Sequence, residues 1–147
     1  MKITLTVLLI LILGSIPAWA ALGENEASVS ADQQYLRSED RVQAFQAYKV
    51  HQLTTANGTI VREYVSPQGL VFGVAWQGHS IPSLQQLLGT YMTNLQQGQR
   101  TRVIPRRGVT IQGNDFVFTS FGRMLSFRGR AYVPSLVPPN LTMEVVR

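Results

Sequence analysis

The chain is expected to fold as one α+β domain: an antiparallel sheet of about six strands in two three-stranded meanders, with one amphipathic helix packed on the sheet and a short N-terminal helix. Three features carry this expectation. Alternating apolar residues over 59–77 (TIVREYVSPQGLVFGVAWQ) are bracketed by two turn signals, Asn57-Gly58 and Ser66-Pro67-Gln68-Gly69. Leucines recur at three- and four-residue steps between Leu84 and Leu95. Short apolar runs separated by glycine turns return from Val109 onward.

The N-terminus has the layout of an export signal. Lys2 precedes an apolar run over 3–13, a break at Gly14-Ser15-Ile16-Pro17, and the small-residue pattern Ala18-Trp19-Ala20, which places cleavage after Ala20. A spanning helix needs about 20 mostly apolar residues, more than this interrupted run offers. An uncleaved anchor is the alternative, and no later segment is apolar enough to span a bilayer. Cleavage leaves 127 of the 147 residues, a single domain over 21–147 with room for a core but not for two.

In that domain, 30–36 suits a short helix, with Ser28 or Ser30 as N-cap and a thin stripe of Val29, Gln33 and Leu36. Glu39-Asp40-Arg41 reads as loop, and 42–48 leads into the sheet. Strands are expected at 48–55, 59–65 and 70–77. Asn57-Gly58 tolerates positive φ at both centres of a type I′ turn, and Pro67 presets φ for a second reversal ending in Gly69. With tight registers, Thr54 faces Val61, Val50 faces Val65, Val65 faces Leu70 and Val61 faces Val74. Val50, Val61, Val65, Leu70, Phe72, Val74 and Trp76 then share one face. Gly73 and Ala75 fall on the other, where their small size admits another backbone, and a bulge at Gly69 would shift the pairing.

The clearest helix spans 82–97. Leu84, Leu87, Leu88, Tyr91, Met92 and Leu95 form one apolar stripe, Ser80 or Ser83 caps it, Pro82 sits in the first turn and Gly98 ends it. Its other face, Gln85, Gln86, Thr90, Asn94, Gln96 and Gln97, carries no charge. A basic connector over 99–108 (QRTRVIPRRG) is broken at Pro105. Strands follow at 109–112, 116–120 and 124–133, with turns at Gly113-Asn114 and Phe121-Gly122 and a bulge at Gly129. Pro134, Pro138 and Pro139 close the domain, and 141–147 carries no structural signal.

Charge is spread unevenly. Residues 21–99 carry a net charge of −2, whereas 100–147 hold eight arginines against Asp115 and Glu144, a net of +6. Cysteine is absent, which leaves no disulfide framework and no residue to acylate after the signal.

The phrases GTIVREYVSPQGLVFGVAWQG (58–78), PSLQQLLGTYM (82–92) and SFRGRAYVPSLVPPNL (126–141) resemble the domain of unknown function 2844 family of bacterial exported proteins, over nearly all of the mature chain. The resemblance implies a small protein with a signal peptide, placed in the periplasm or envelope of a Gram-negative bacterium. It supplies no catalytic residues.

Catalytic patterns are sparse. His51 and His79 lack metal-ligand spacing, so no metal or cofactor is expected, and no G-x-S-x-G, S-x-x-K or phosphate-cradling glycine loop occurs. Glu63 is expected on the apolar face across from Gln52 and Phe72, with Arg62 pointing the other way. It is a general-acid candidate, or else the buried partner of a C-terminal arginine. Arg100, Arg102, Arg106, Arg107, Arg123, Arg128 and Arg130, interleaved with phenylalanines, form the strongest functional hint, because guanidinium recognises phosphate and carboxylate bidentately. In an envelope the anion would be a lipid headgroup, acidic polysaccharide or acidic protein surface rather than nucleic acid. The expected function is therefore non-catalytic binding of an anionic envelope partner through the arginine-rich loop, the same arginines forming otherwise only a solvated face. One alternative is a small hydrolase using Glu63 or His79; another is an assembly protein acting through the uncharged helix face.

Overall fold

The computed structural model describes residues 22–100 and 108–147. The expected signal segment and most of the basic connector, including Arg102, Arg106 and Arg107, lie outside the described residues. One antiparallel sheet of seven strands organises the rest, in the order β1-β2-β3-β4-β7-β6-β5. The strands are β1 (Glu39–Ala44), β2 (Lys49–Thr54), β3 (Ile60–Val65), β4 (Val71–Gly78), β5 (Gly108–Gln112), β6 (Val117–Arg123) and β7 (Ser126–Tyr132). The α+β class stands, with a meander of four strands joined through β4 and β7 to one of three. The additional strand is β1, expected as loop. Its residues are mostly exposed and show no alternation, so pairing with β2 and not burial makes it a strand. Charged side chains on such an edge discourage further pairing.

The registers differ from the tight ones the turn dipeptides suggest. At the first turn Gly58 N donates to Thr55 O (2.9 Å), Thr55 N donates to Thr59 O (2.9 Å), and only Gly58 has positive φ (+81°). This is a type I turn followed by a left-handed glycine, one residue longer than type I′. Leu53 consequently pairs with Val61 and Val50 with Tyr64, moving Val50 to the opposite face from the one expected. Gly69 (φ +77°) plays the same part after Pro67, and Gly69 N donates to Ser66 O (2.9 Å). A second irregularity then opposes Tyr64 to Gly73 and Val65 to Val71, leaving Phe72 as the extra residue. The two one-residue shifts cancel in parity. Val74 and Trp76 therefore do share a face with Val61 and Val65, whereas Phe72 does not.

Each sheet face has its own cover. On the helix face, Leu53, Val61, Val65, Val74, Trp76, Phe118 and Ala131 are buried beneath α1 (Val29–Leu36), α2 (Leu84–Leu88) and α3 (Met92–Arg100). The expected long helix is interrupted at Gly89, whose φ of +50° no helix accommodates, and a single 3-10 turn over Gly89–Tyr91 joins the two parts. Glycine is the residue that leaves a helix most readily. Ser83 is the cap, accepting from Gln86 N, while Ser80 bonds Asn57 and Thr59 instead. The leucine stripe survives the interruption, with Leu87, Leu88 and Leu95 fully buried and Leu84, Tyr91 and Met92 packed beside them. Helix α3 runs past Gly98 to Arg100 because Gly98 faces Ile111 of β5, where a Cβ would lie 2.4 Å from Cγ2.

The opposite face is partly covered by the segment after β7, which showed no pattern in sequence. Val146 is fully buried against Val50, Tyr64, Phe72 and Ala75. Its Cγ2 would stand 2.8 Å from a Cβ at Gly73, so the small residues on this face do admit a second chain segment. Gly129 makes no bulge and pairs regularly with Trp76. A Cβ there would meet the indole Cζ2 at 2.2 Å, so the missing side chain is what seats the tryptophan. The β6–β7 turn is not at Phe121-Gly122. Both residues lie in β6, and Arg123 pairs with Ser126 across Met124 and Leu125.

Candidate functional site

Period-two alternation sorts the charges by face. In β3, Glu63 points to the helix face and Arg62 to the tail-covered face, as expected from their adjacency. The same rule places Asp40 of β1 with the acids, and Arg41 of β1 and Arg128 and Arg130 of β7 with Arg62.

Glu63 lies across from His51 and Val74, not Gln52 and Phe72, and His51 is buried. No C-terminal arginine reaches Glu63 among the described residues, contrary to expectation. Its neighbour is Asp32 of α1, which stands between Val29 and Leu36 on the helix's apolar stripe. The two carboxyls are 1% and 0% exposed, and Gln86 Nε2 donates to Asp32 Oδ1 (2.8 Å). Among the described residues no donor reaches Asp32 Oδ2 or either oxygen of Glu63. A proton held by one carboxyl would supply the donor that the other lacks. Burial pushes the Asp32 carboxyl up to about 6, although hydrogen bonds from Glu63 and Gln86 oppose it. Glu63 is driven well above the carboxylate range, first by burial and then by the charge of Asp32.

Beside the pair, His51 Nδ1 meets Asp40 Oδ2 (2.8 Å) and Nε2 meets Glu26 Oε1 (3.1 Å). Lys49 Nζ donates to both oxygens of Glu26 at 2.8 Å, which holds the Glu26 carboxyl below its ordinary range. His79 is elsewhere, its Nδ1 3.2 Å from Asn57 O at the tip of the β2–β3 hairpin. Glu63 and His79 thus do not converge. Among the described residues no group of His, Asp or Glu is arranged to hold a metal, and no helix is long and apolar enough to cross a membrane.

The basic face differs in that it is open. One cleft of 410 Å³ is lined by Tyr48, Val50, Arg62, Tyr64, Val145 and Arg147 among others. A second, of 300 Å³, includes Thr119, Phe121, Arg128, Arg130 and Val146. A third, of 370 Å³ at the end of the sheet, includes Gly78, His79, Leu125, Phe127 and Arg128. None of the three is lined by Asp or Glu. No arginine among the described residues forms an ion pair with an Asp or Glu side chain; Glu26 pairs with Lys49, and His51 hydrogen-bonds Glu26 and Asp40.

The expected arginine group is divided by this geometry. Arg130 is occupied, its Nη1 donating to Met143 O and Val146 O at 3.2 Å each, so it anchors the tail. Arg128 lines two clefts and has no hydrogen-bond partner among the described residues. Arg123 lies exposed near the β6–β7 turn, and Arg100 ends α3 on the helix-covered side. Arg62 and Arg147 lie on the same face as Arg128 but were not among the candidates, and Arg62 is itself held, its Nε donating to Gln52 Oε1 (3.3 Å) and its Nη1 to Arg147 O (3.4 Å). Strand parity was the available signal for Arg62, whereas Arg147 is placed by tertiary contacts, its backbone meeting the Tyr64 hydroxyl (2.7 and 3.1 Å).

The architecture is that of an α+β domain whose sheet carries helices and buried acids on one side and arginine-lined clefts on the other. The chain belongs to the family described as protein of unknown function (DUF2844), which matches residues 18–146. No curated protein matches the chain, and no solved structure does.

Proposed function

We propose that this is an exported, non-catalytic binding protein of the Gram-negative envelope whose arginine-bearing sheet face receives an anionic partner. The observation that carries the proposal is the separation of charge by face: Arg62 and Arg128 line clefts without an Asp or Glu side chain, while Glu26, Asp32, Asp40 and Glu63 are held on the other side. Guanidinium groups around a concavity that has no acidic side chain raise the local concentration of anions and speed their encounter. The proposed surface reaches beyond the 99–108 loop, since Arg128 and Arg62 lie on strands that hold their positions. Export is supported by the N-terminal layout of Lys2, the 3–13 apolar run and Ala18-Trp19-Ala20.

A hydrolase built on Glu63 or His79 finds less support, because Glu63 is 1% exposed and His79 has no carboxyl beside it among the described residues. The assembly alternative is weakened at Gln86, which is buried on Asp32 and does not belong to an uncharged outer face.

The test is fluorescence anisotropy with a labelled soluble anionic polysaccharide at low and high salt. Arg62→Ala with Arg128→Ala should weaken binding about tenfold or more, given about 1 kcal/mol for each such charge. Arg106→Ala with Arg107→Ala measures the share of the connector. Binding that ignores salt, or that survives both double variants, refutes the proposal.

A further inference from the structure

The β6–β7 hairpin ends in side chains that a soluble surface does not ordinarily display. Met124 is 91% exposed, Leu125 66% and Phe121 47%. The turn contains neither glycine nor asparagine, yet Leu125 holds φ at +61°, a conformation that L residues with bulky side chains avoid. A residue held there while exposing its apolar side chain serves neither the turn nor the core, which directs attention to function.

The surroundings of the tip are also ordered. Phe121 lies over Gly108, where a Cβ would come within 2.3 Å of the ring, and Phe127 lies over Gly122 at the same distance. By register Phe121 projects to one sheet face and Phe127 to the other, with Met124 and Leu125 between them at the end. The apolar surface therefore surrounds the tip on both sides, as a wedge and not as a flat patch. Arg123 adjoins the turn, and Arg128 sits three residues behind Leu125, about 10 Å back at strand rise. That spacing matches the depth over which a shallow insertion passes from acyl chains to phosphates, about 5–10 Å. No acid occurs anywhere in 116–143, and the adjoining cleft with His79 and Arg128 has none either.

We infer that the β6–β7 hairpin docks on an anionic lipid surface, Met124 and Leu125 at the tip entering the acyl boundary while Arg123 and, behind it beside Phe121, Arg128 meet headgroup phosphates. The apolar wedge requires an apolar medium on both sides of the hairpin, which a bilayer provides. The arginines make that surface an anionic one. Docking presupposes the anionic partner proposed above and names it as lipid.

The experiment is co-sedimentation of the purified chain, its N-terminus established by mass spectrometry, with vesicles of phosphatidylglycerol and phosphatidylcholine and with vesicles of phosphatidylcholine alone. The wild type should sediment with the mixed vesicles and much less with the neutral ones. Met124→Ser with Leu125→Asn should reduce binding at least tenfold while leaving the melting temperature equal or higher, since asparagine accepts positive φ. Arg123→Gln with Arg128→Gln should abolish the preference for anionic vesicles. Undiminished sedimentation of the Met124/Leu125 variant overturns the inference. So does a concentration-dependent dimer, seen without lipid by analytical ultracentrifugation and lost in that variant, because the wedge would then be meeting a second copy. A wild type that binds the soluble polysaccharide but no vesicle refutes lipid docking and leaves the broader anion-binding proposal standing; one that binds neither refutes both.

Discussion

Glu63→Gln probes the buried carboxyl pair, and the pH dependence of its effect follows from the direction of the two shifts. An acid whose folded-state pKa is raised is bound to its proton more tightly in the folded chain than in the unfolded one. The stability it contributes is complete below the unfolded value and is lost as pH rises toward the folded one. For Asp32 that window runs from 3.8 to about 6, which corresponds to about 3 kcal/mol, and Glu63 is shifted the same way. Glutamine at 63 supplies an amide donor to Asp32 Oδ2 and removes one of the two charges competing for the site. At about pH 8 the variant should be more stable than the wild type by about 1–3 kcal/mol, the cost of a buried acceptor left without a donor, read as a rise in Tm of several degrees. Near pH 4 the difference should fall below about 1 kcal/mol. Urea unfolding at a series of pH values, followed by far-ultraviolet circular dichroism, measures both. A variant less stable than the wild type at the higher pH, or a pH slope that the substitution leaves unchanged, would show that the pair does not share a proton as argued.

Two further expectations concern the core and the N-terminus. Gly129→Ala sets a methyl against the Trp76 ring and within 2.8 Å of Thr119 O, so it should destabilise by about 2–3 kcal/mol, read as a lower urea midpoint; no change would mean that the indole is free to move. Mass spectrometry of protein recovered from the envelope fraction should find Ala21 as the first residue, and an intact Met1 there would remove the case for a cleaved signal.

Much of the fold was legible in sequence because it rests on local signals. The leucine stripe of 84–95 lies on the sheet, the glycines at 58 and 69 do turn the chain, and Gly73 and Ala75 do admit another segment. What misled was turn length. Asn57-Gly58 signals a reversal, but whether glycine is the second or the third residue of the loop depends on bonds made by Thr55 and Thr59, and one residue reverses the face of every side chain in β2. The Met124-Leu125 turn was invisible because its residues carry no turn chemistry. The candidate site was legible in part. Arg128 and Arg130 stand out by composition, yet only the tertiary structure commits Arg130 to tail carbonyls and leaves Arg128 facing the clefts. Asp32 had a visible signal, an acid inside the Val29 and Leu36 stripe, but its partner is 31 residues away.

By itself the sequence determined what short-range chemistry can determine: the class of fold, the helix stripe, the turns and the excess of arginine in the last third. Tertiary structure alone decided which residues share a face, that a buried acid meets another acid rather than an arginine, and that the last residues close over the sheet. The reason is physical, because parity, burial and charge pairing depend on distances between segments far apart in the chain, and these exist only once the sheet has closed.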